Sequence, residues 1–248
     1  MPARLASSAA RPLSSLLLAP LAVSLLLVAT HADAAKKRGA CLSMTEVVSR
    51  TPSQIDAMVA GFGAEAQLYP AATCGTTQYR ITYNTVAPDG STATASAGLM
   101  VPTGCTGPFP LVEYNHGTWT TSGQTMSDAN MFTAQEVTGQ FGAQGYAVVM
   151  PDYLGYGANT LGYHPYLNAQ SNADVTMDAV RAARNCLAGT NTLSSQLFLT
   201  GTSEGGYVTM ATHRAMEALG TNEFTVTQGS SSRSPTTASA AAPATKPD

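Results

Sequence analysis

Residues 196–219 read QLFLTGTSEGGYVTMATHRAMEAL, and this stretch limits the fold more than any other. The apolar run Leu197-Phe198-Leu199 enters Gly201-Thr202-Ser203-Glu204-Gly205. After it, Val208, Ala211, Ala215 and Leu219 fall on one helical stripe. A strand that becomes a helix within five residues predicts a sharp turn with serine at its apex. Strained backbone there holds the hydroxyl out of the sheet, at the positive end of the following helix, and the flanking glycines allow backbones to approach where a Cβ would clash. Ser203 is therefore the expected nucleophile. A glycine-rich turn without chemistry explains the bare G-x-S-x-G pattern but not its place between strand and helix. Gly220 follows as a C-terminal stop.

The chain is 11% charged and 44% hydrophobic, with a net charge of -3, and it contains no basic stripe. Nothing in that balance favours nucleic acid as a partner. Arg4 and Arg11 precede an apolar segment from Leu13 to Ala29, and Ala32-Asp33-Ala34 is a small-x-small cleavage signature. Residues 1–34 are expected to be a signal peptide, removed near Ala34, on a secreted or periplasmic protein. Pro20 and the serines at 14, 15 and 24 argue against a membrane anchor, and no later segment has the length and apolarity to span a bilayer. Cys41, Cys74, Cys105 and Cys186 are expected to form two disulfides in any of three pairings. Metal-ligand spacing is absent, so neither metal nor cofactor is expected.

Thr51-Pro52-Ser53-Gln54 is a capping box that predicts a helix over 52–60, ending at Gly61 or Gly63. Tyr79 to Asn84 and Thr92 to Val101 are β-rich runs around Asp89-Gly90, the signature of a hairpin. Strand and helix patterns then alternate: strand at 110–115, mostly helix at 126–143, strand at 146–150, helix at 173–187, strand at 196–200. The expected fold is α/β, a mostly parallel sheet opened by an antiparallel hairpin with helices on both faces, binding ligands at the carboxyl ends of its strands. Asn115-His116-Gly117-Thr118-Trp119 lies at one such end. A backbone N–H of Gly117 or Thr118, with that of Glu204, forms a two-donor oxyanion pocket in this reading. Asp152, at another strand end, is expected to hold its own turn through its carboxylate. Asp174 and Asp178 are expected to face solvent.

The order of Tyr114-Asn115-His116-Gly117-Thr118, Pro151-Asp152-Tyr153-Leu154-Gly155-Tyr156-Gly157, His164-Pro165-Tyr166-Leu167 and Gly201-Thr202-Ser203-Glu204-Gly205-Gly206 resembles the secretory lipases of the α/β-hydrolase superfamily, over about 79–227. The resemblance implies a serine carboxylester hydrolase acting on acylglycerols or simpler esters through a Ser-Asp-His triad, without metal. It places the nucleophile on Ser203 and the oxyanion region on Glu204 and the Gly117/Thr118 pair.

That superfamily places the acid and histidine after the nucleophile. Here 45 residues follow Ser203, and 16 of the 21 from Gln228 to Asp248 are Ser, Thr, Ala or Pro, a composition expected to be disordered. His213 lies on the serine's own helix, about 15 Å along its axis. His116 and His164 precede the nucleophile, at positions that are not the triad base. The expectation is an N-terminal hydrolase portion over 35–227, impaired for lack of a base, with a low-complexity tail over 228–248. Two alternatives stand beside it: a serine peptidase or acyltransferase on the same scaffold, and a non-catalytic binding module that keeps the hydrolase shell.

Overall fold

In the computed structural model, residues 38–232 are described, apart from positions 122 and 191. The expected signal peptide and the tail from 233 onward lie outside the described residues. The hairpin signal is met in full. β2 (Gly75–Val86) and β3 (Thr92–Thr103) pair antiparallel from Val86 opposite Thr92 to Gly75 opposite Thr103, and Gly90 takes the positive φ of 82° that the turn between them needs.

Seven strands make one sheet in the order β1-β2-β3-β5-β4-β6-β7, with β1 Cys41–Arg50, β4 Phe109–Asn115, β5 Ala147–Pro151, β6 Leu193–Thr202 and β7 Val226–Ser232. The pairs β1/β2, β2/β3 and β3/β5 are antiparallel, while β5/β4, β4/β6 and β6/β7 are parallel. Only β1 and β3 therefore run against the rest. β1 is unannounced in the sequence because CLSMTEVVSR mixes polar and apolar residues, as befits an edge strand with no fully buried residue. β7 extends five residues beyond the expected boundary at Thr227; neighbouring β6 supplies the ladder that its Gln-Gly-Ser run could not announce.

α1 (Pro52–Ala60) carries the expected capping box, with Gln54 N–H donating to Thr51 Oγ1 and the Gln54 side chain accepting from Thr51 N–H. α2 (Phe132–Gln140) is shorter than its pattern suggested, because Thr125–Met131 is used in turns. α3 is Ala169–Cys186 and α4 is Glu204–Ala218. Period-2 alternation sorts the central strands. Leu111, Val149, Leu197 and Leu199 pack with Val175, Val180 and Val208 from α3 and α4, while Val112, Val148 and Met150 pack with Ala134 and Val137 of α2. Burial of each such large side chain contributes about 1.5–3 kcal/mol.

Asp174 and Asp178 do not face solvent, contrary to expectation. Both are buried, with Arg38 bridging them at 2.6 and 3.0 Å and Arg181 reaching Asp178 at 2.7 Å. The arginine that meets both acids lies 136 or more residues earlier in the chain, out of reach of a helix-periodicity argument. Disulfides join Cys41 to Cys186, tying β1 to the end of α3, and Cys74 to Cys105.

Candidate active site

β6 ends at Thr202 and α4 begins at Glu204, leaving Ser203 alone at the bend with φ 56° and ψ -120°. A side chain in this region of backbone space is strained. Among the described residues, Tyr153, Leu167 and Ser203 are the non-glycine residues with positive φ. Tyr153 and Leu167 are hydrogen-bonded into the loops beside the bend. The Tyr153 hydroxyl donates to the His116 carbonyl at 3.1 Å, and the Leu167 carbonyl accepts from the Tyr207 hydroxyl at 2.8 Å.

Two glycines make the bend possible by close approach. A Cβ at Gly205 would fall on the Asn115 carbonyl, and one at Gly201 would lie 2.8 Å from Asn115 Cβ. β4 and the start of α4 are thus in backbone contact, which carries the strand-end loop to the serine. A Cβ on Gly117 would meet Ser203 Cβ at 3.5 Å. Gly117, Ser203 and Glu204 are therefore brought together, with Thr118 next in the chain and exposed. The Ser203 side chain is exposed, and among the described residues no side-chain hydrogen bond reaches its hydroxyl. Glu204 N–H lies in the first turn of α4, where a helix offers its amides no acceptor.

The three described histidines sit elsewhere. His116 is buried, stacked on Trp119 at 3.5 Å, with Nδ1 donating to the Gly117 carbonyl at 2.7 Å, and burial pulls its pKa down to about 4. It is a neutral wedge under the loop. His164 Nε2 meets Glu204 Oε1 at 2.7 Å, and its Nδ1 donates to the Leu154 carbonyl at 2.9 Å. His213 lies beside Glu217 at 3.7 Å, further along α4.

Asp152 is sealed in, but it does not hold its own turn as expected. One oxygen accepts Met126 N–H at 2.6 Å and the other the Ser96 hydroxyl at 2.6 Å, so it fastens two other segments behind the site. Burial pushes its carboxyl up to about 6. Under the serine turn, Asn115 donates to Glu113 at 2.8 Å and to Thr209 at 3.1 Å, and the Thr209 hydroxyl donates to the Gly205 carbonyl at 2.8 Å. Sequence reading missed this chain of side chains, whose only linear trace is polar Glu113 and Asn115 within an apolar strand. A cavity of about 410 Å³ lined by Arg184, Ser194 and Thr225 opens at the start of β6, the far end of that strand from Ser203. Among the described residues, no cluster of acids, histidines and cysteines is placed to hold a metal, and no helix is long and apolar enough to cross a membrane.

Residues 128–220 match the secretory lipase family. The chain is similar to that family over these residues. Its fold is that of the α/β-hydrolases. Over 77% of this chain, the rice cell wall degrading esterase LipA from Xanthomonas oryzae superposes with a TM-score of 0.70 at 36% identity, using 49% of that structure. A putative hydrolase from Legionella pneumophila superposes over the same share with a TM-score of 0.69 at 26% identity, using 52% of its length. Candida antarctica lipase A in its closed state, at 15% identity and a TM-score of 0.52, shares the fold over 78% of this chain and 42% of its own. The chain spans about half the length of these structures. None of the curated proteins matches it.

Proposed function

We propose that the chain is the nucleophile-bearing part of a secreted carboxylic ester hydrolase in which Ser203 forms an acyl-enzyme. The observation that carries this reading is the exposed, strained serine between β6 and α4, with Gly117 packed beside it. Ser203 Oγ attacks the ester carbonyl carbon, and the resulting oxyanion accepts from Glu204 N–H and from Gly117 or Thr118 N–H. The serine proton passes to solvent water and the departing alkoxide takes a proton from it, so that collapse expels the alcohol; water then hydrolyses the acyl-serine to the carboxylic acid and free Ser203. The match of residues 128–220 to the secretory lipase family and the likeness to LipA support an ester as substrate, with acylglycerols or simpler esters the classes to assay. Two disulfides suit an oxidising compartment reached through the leader at 1–34.

The proton of Ser203 needs an acceptor, and among the described residues no histidine is bonded to its hydroxyl. Turnover by this chain is accordingly expected to lie about three to six orders of magnitude below that of a complete triad, sustained by the oxyanion donors alone. The test is labelling with a fluorophosphonate together with p-nitrophenyl ester hydrolysis. Ser203→Ala abolishes both if the reading holds, and hydrolysis unchanged in that variant refutes it. The same missing contact favours a second reading, a binding module that retains the hydrolase shell. Saturable ester-analogue binding without a covalent serine adduct would establish that alternative.

A further inference from the structure

Glu204 combines two properties that the ester hydrolase reading leaves unconnected. Its backbone N–H is a proposed oxyanion donor, while its carboxylate is buried against His164. The proton arrangement there follows from geometry. A carbonyl only accepts, so the 2.9 Å contact to Leu154 requires hydrogen on His164 Nδ1. Nε2 and Glu204 Oε1, 2.7 Å apart, then share a single proton, either as imidazolium and carboxylate or as imidazole and carboxylic acid. Both arrangements keep a strong hydrogen bond. Loss of that proton sets a nitrogen lone pair against a carboxylate and breaks it.

The groups around the pair give it no competing charge. The His164 ring stacks on Tyr153 at 5.5 Å and meets Tyr156 at 5.1 Å and Tyr166 at 6.3 Å. Tyr153 also packs on neutral His116 at 4.1 Å and donates to the His116 carbonyl. Tyr156 donates to the Trp119 carbonyl at 2.7 Å. His164 thus links the loop after β5 to the first residue of α4, and Tyr153 and Tyr156 carry that contact on to the 116–119 loop, which holds the second proposed oxyanion donor.

We infer that His164 and Glu204 are a positioning pair, whose shared proton fixes the Glu204 N–H and the Gly117 loop relative to one another so that both donors converge on one oxyanion. This role rests on the ester hydrolase reading and is separable from it by experiment. Displacement of a catalytic donor by about an ångström costs on the order of a hundredfold, so breaking the pair should slow reaction at Ser203 by about ten- to a hundredfold.

The test uses the full chain and four variants, each first checked for cooperative unfolding. ¹⁵N-histidine NMR reads the pair without any need for activity. His164 Nδ1 should carry a proton, and Nε2 should change its shift on Glu204→Ala; an Nε2 signal identical in wild type and that variant overturns the pairing. Fluorophosphonate labelling reads the positioning. His164→Ala should label about ten- to a hundredfold more slowly than wild type, and His164→Gln, whose amide replaces the Nε2 donor, should recover most of that loss. His164→Ala labelling at the wild-type rate, or His164→Gln as slow as His164→Ala, overturns the role. Labelling that survives Ser203→Ala refutes the parent reading instead, and the NMR result still decides whether the pair exists.

Discussion

Asp178 and Glu113 are both sealed from solvent, Asp178 on α3 and Glu113 in the middle of β4. Around Asp178 stand Arg38 at 3.0 Å, Arg181 at 2.7 Å and the Thr85 hydroxyl at 2.8 Å. Burial raises its carboxyl, and Arg38, Thr85 and Arg181 oppose the rise. Glu113 meets one neutral donor, the Asn115 amide, and its other oxygen has no partner among the described residues. Burial pushes its carboxyl well up, with only that amide opposing. The two regions satisfy buried acids by different means. At α3, guanidinium groups from the N-terminal segment and from α3 itself meet the acids and anchor the segment before β1. Under the serine turn, neutral donors do so and leave the ground below the oxyanion pocket almost free of fixed charge, where a developing negative charge meets little repulsion.

The comparison can be broken in four places. The largest effect should come from Cys41→Ser with Cys186→Ser, which frees the anchor by opening a loop of 145 residues; about 4 kcal/mol of stability should be lost in denaturant titration. Asp178→Asn leaves two guanidiniums facing a neutral amide and should cost about 3 kcal/mol by the same measurement. A change within 0.5 kcal/mol, on the order of a silent surface substitution, would show that the α3 pairs are not an anchor.

Smaller, and dependent on pH, is the effect of Asp152→Asn. With its carboxyl raised to about 6, Asp152 gives stability that is complete below its unfolded value near 4 and is lost as pH rises through 6. His116, pulled down to about 4, acts oppositely: its contribution is present above about 6.5 and is lost as pH falls through 4. Between pH 4 and 6 the two slopes cancel. Asp152→Asn removes one of them, so its stability relative to wild type should rise by on the order of 2 kcal/mol from pH 4 to 7, as thermal melts at several pH values would show. The smallest change belongs to Glu113→Gln, expected within about 1 kcal/mol at pH 7 because the amide keeps the size of the side chain and an oxygen that can accept from Asn115. A loss as large as that of Asp178→Asn would mean that Glu113 is ionised and that the contrast between the regions fails.

What sequence could show followed chain distance. The serine turn, the Asp89-Gly90 hairpin and the Thr51 capping box were legible because each is encoded within a few adjacent residues. Placing Gly117 beside Ser203 was within reach as well, since both occupy the carboxyl ends of strands in one sheet. The rest depended on partners far apart. Arg38 with Asp174 and Asp178, Asp152 with Met126 and Ser96, and His164 with Glu204 are contacts that no local pattern announces. β1 was missed for a related reason: a strand at the sheet's edge buries little and so shows little alternation.

The contact of Gly201 and Gly205 with β4 has a consequence for how variation at this turn should be interpreted. In a library sorted for folding alone, with no demand for turnover, both glycines would persist, since any larger residue collides with Asn115. Position 203 would drift toward glycine, which accepts its positive φ more readily than serine does. Retention of glycine there reports packing, and only retention of the hydroxyl reports chemistry.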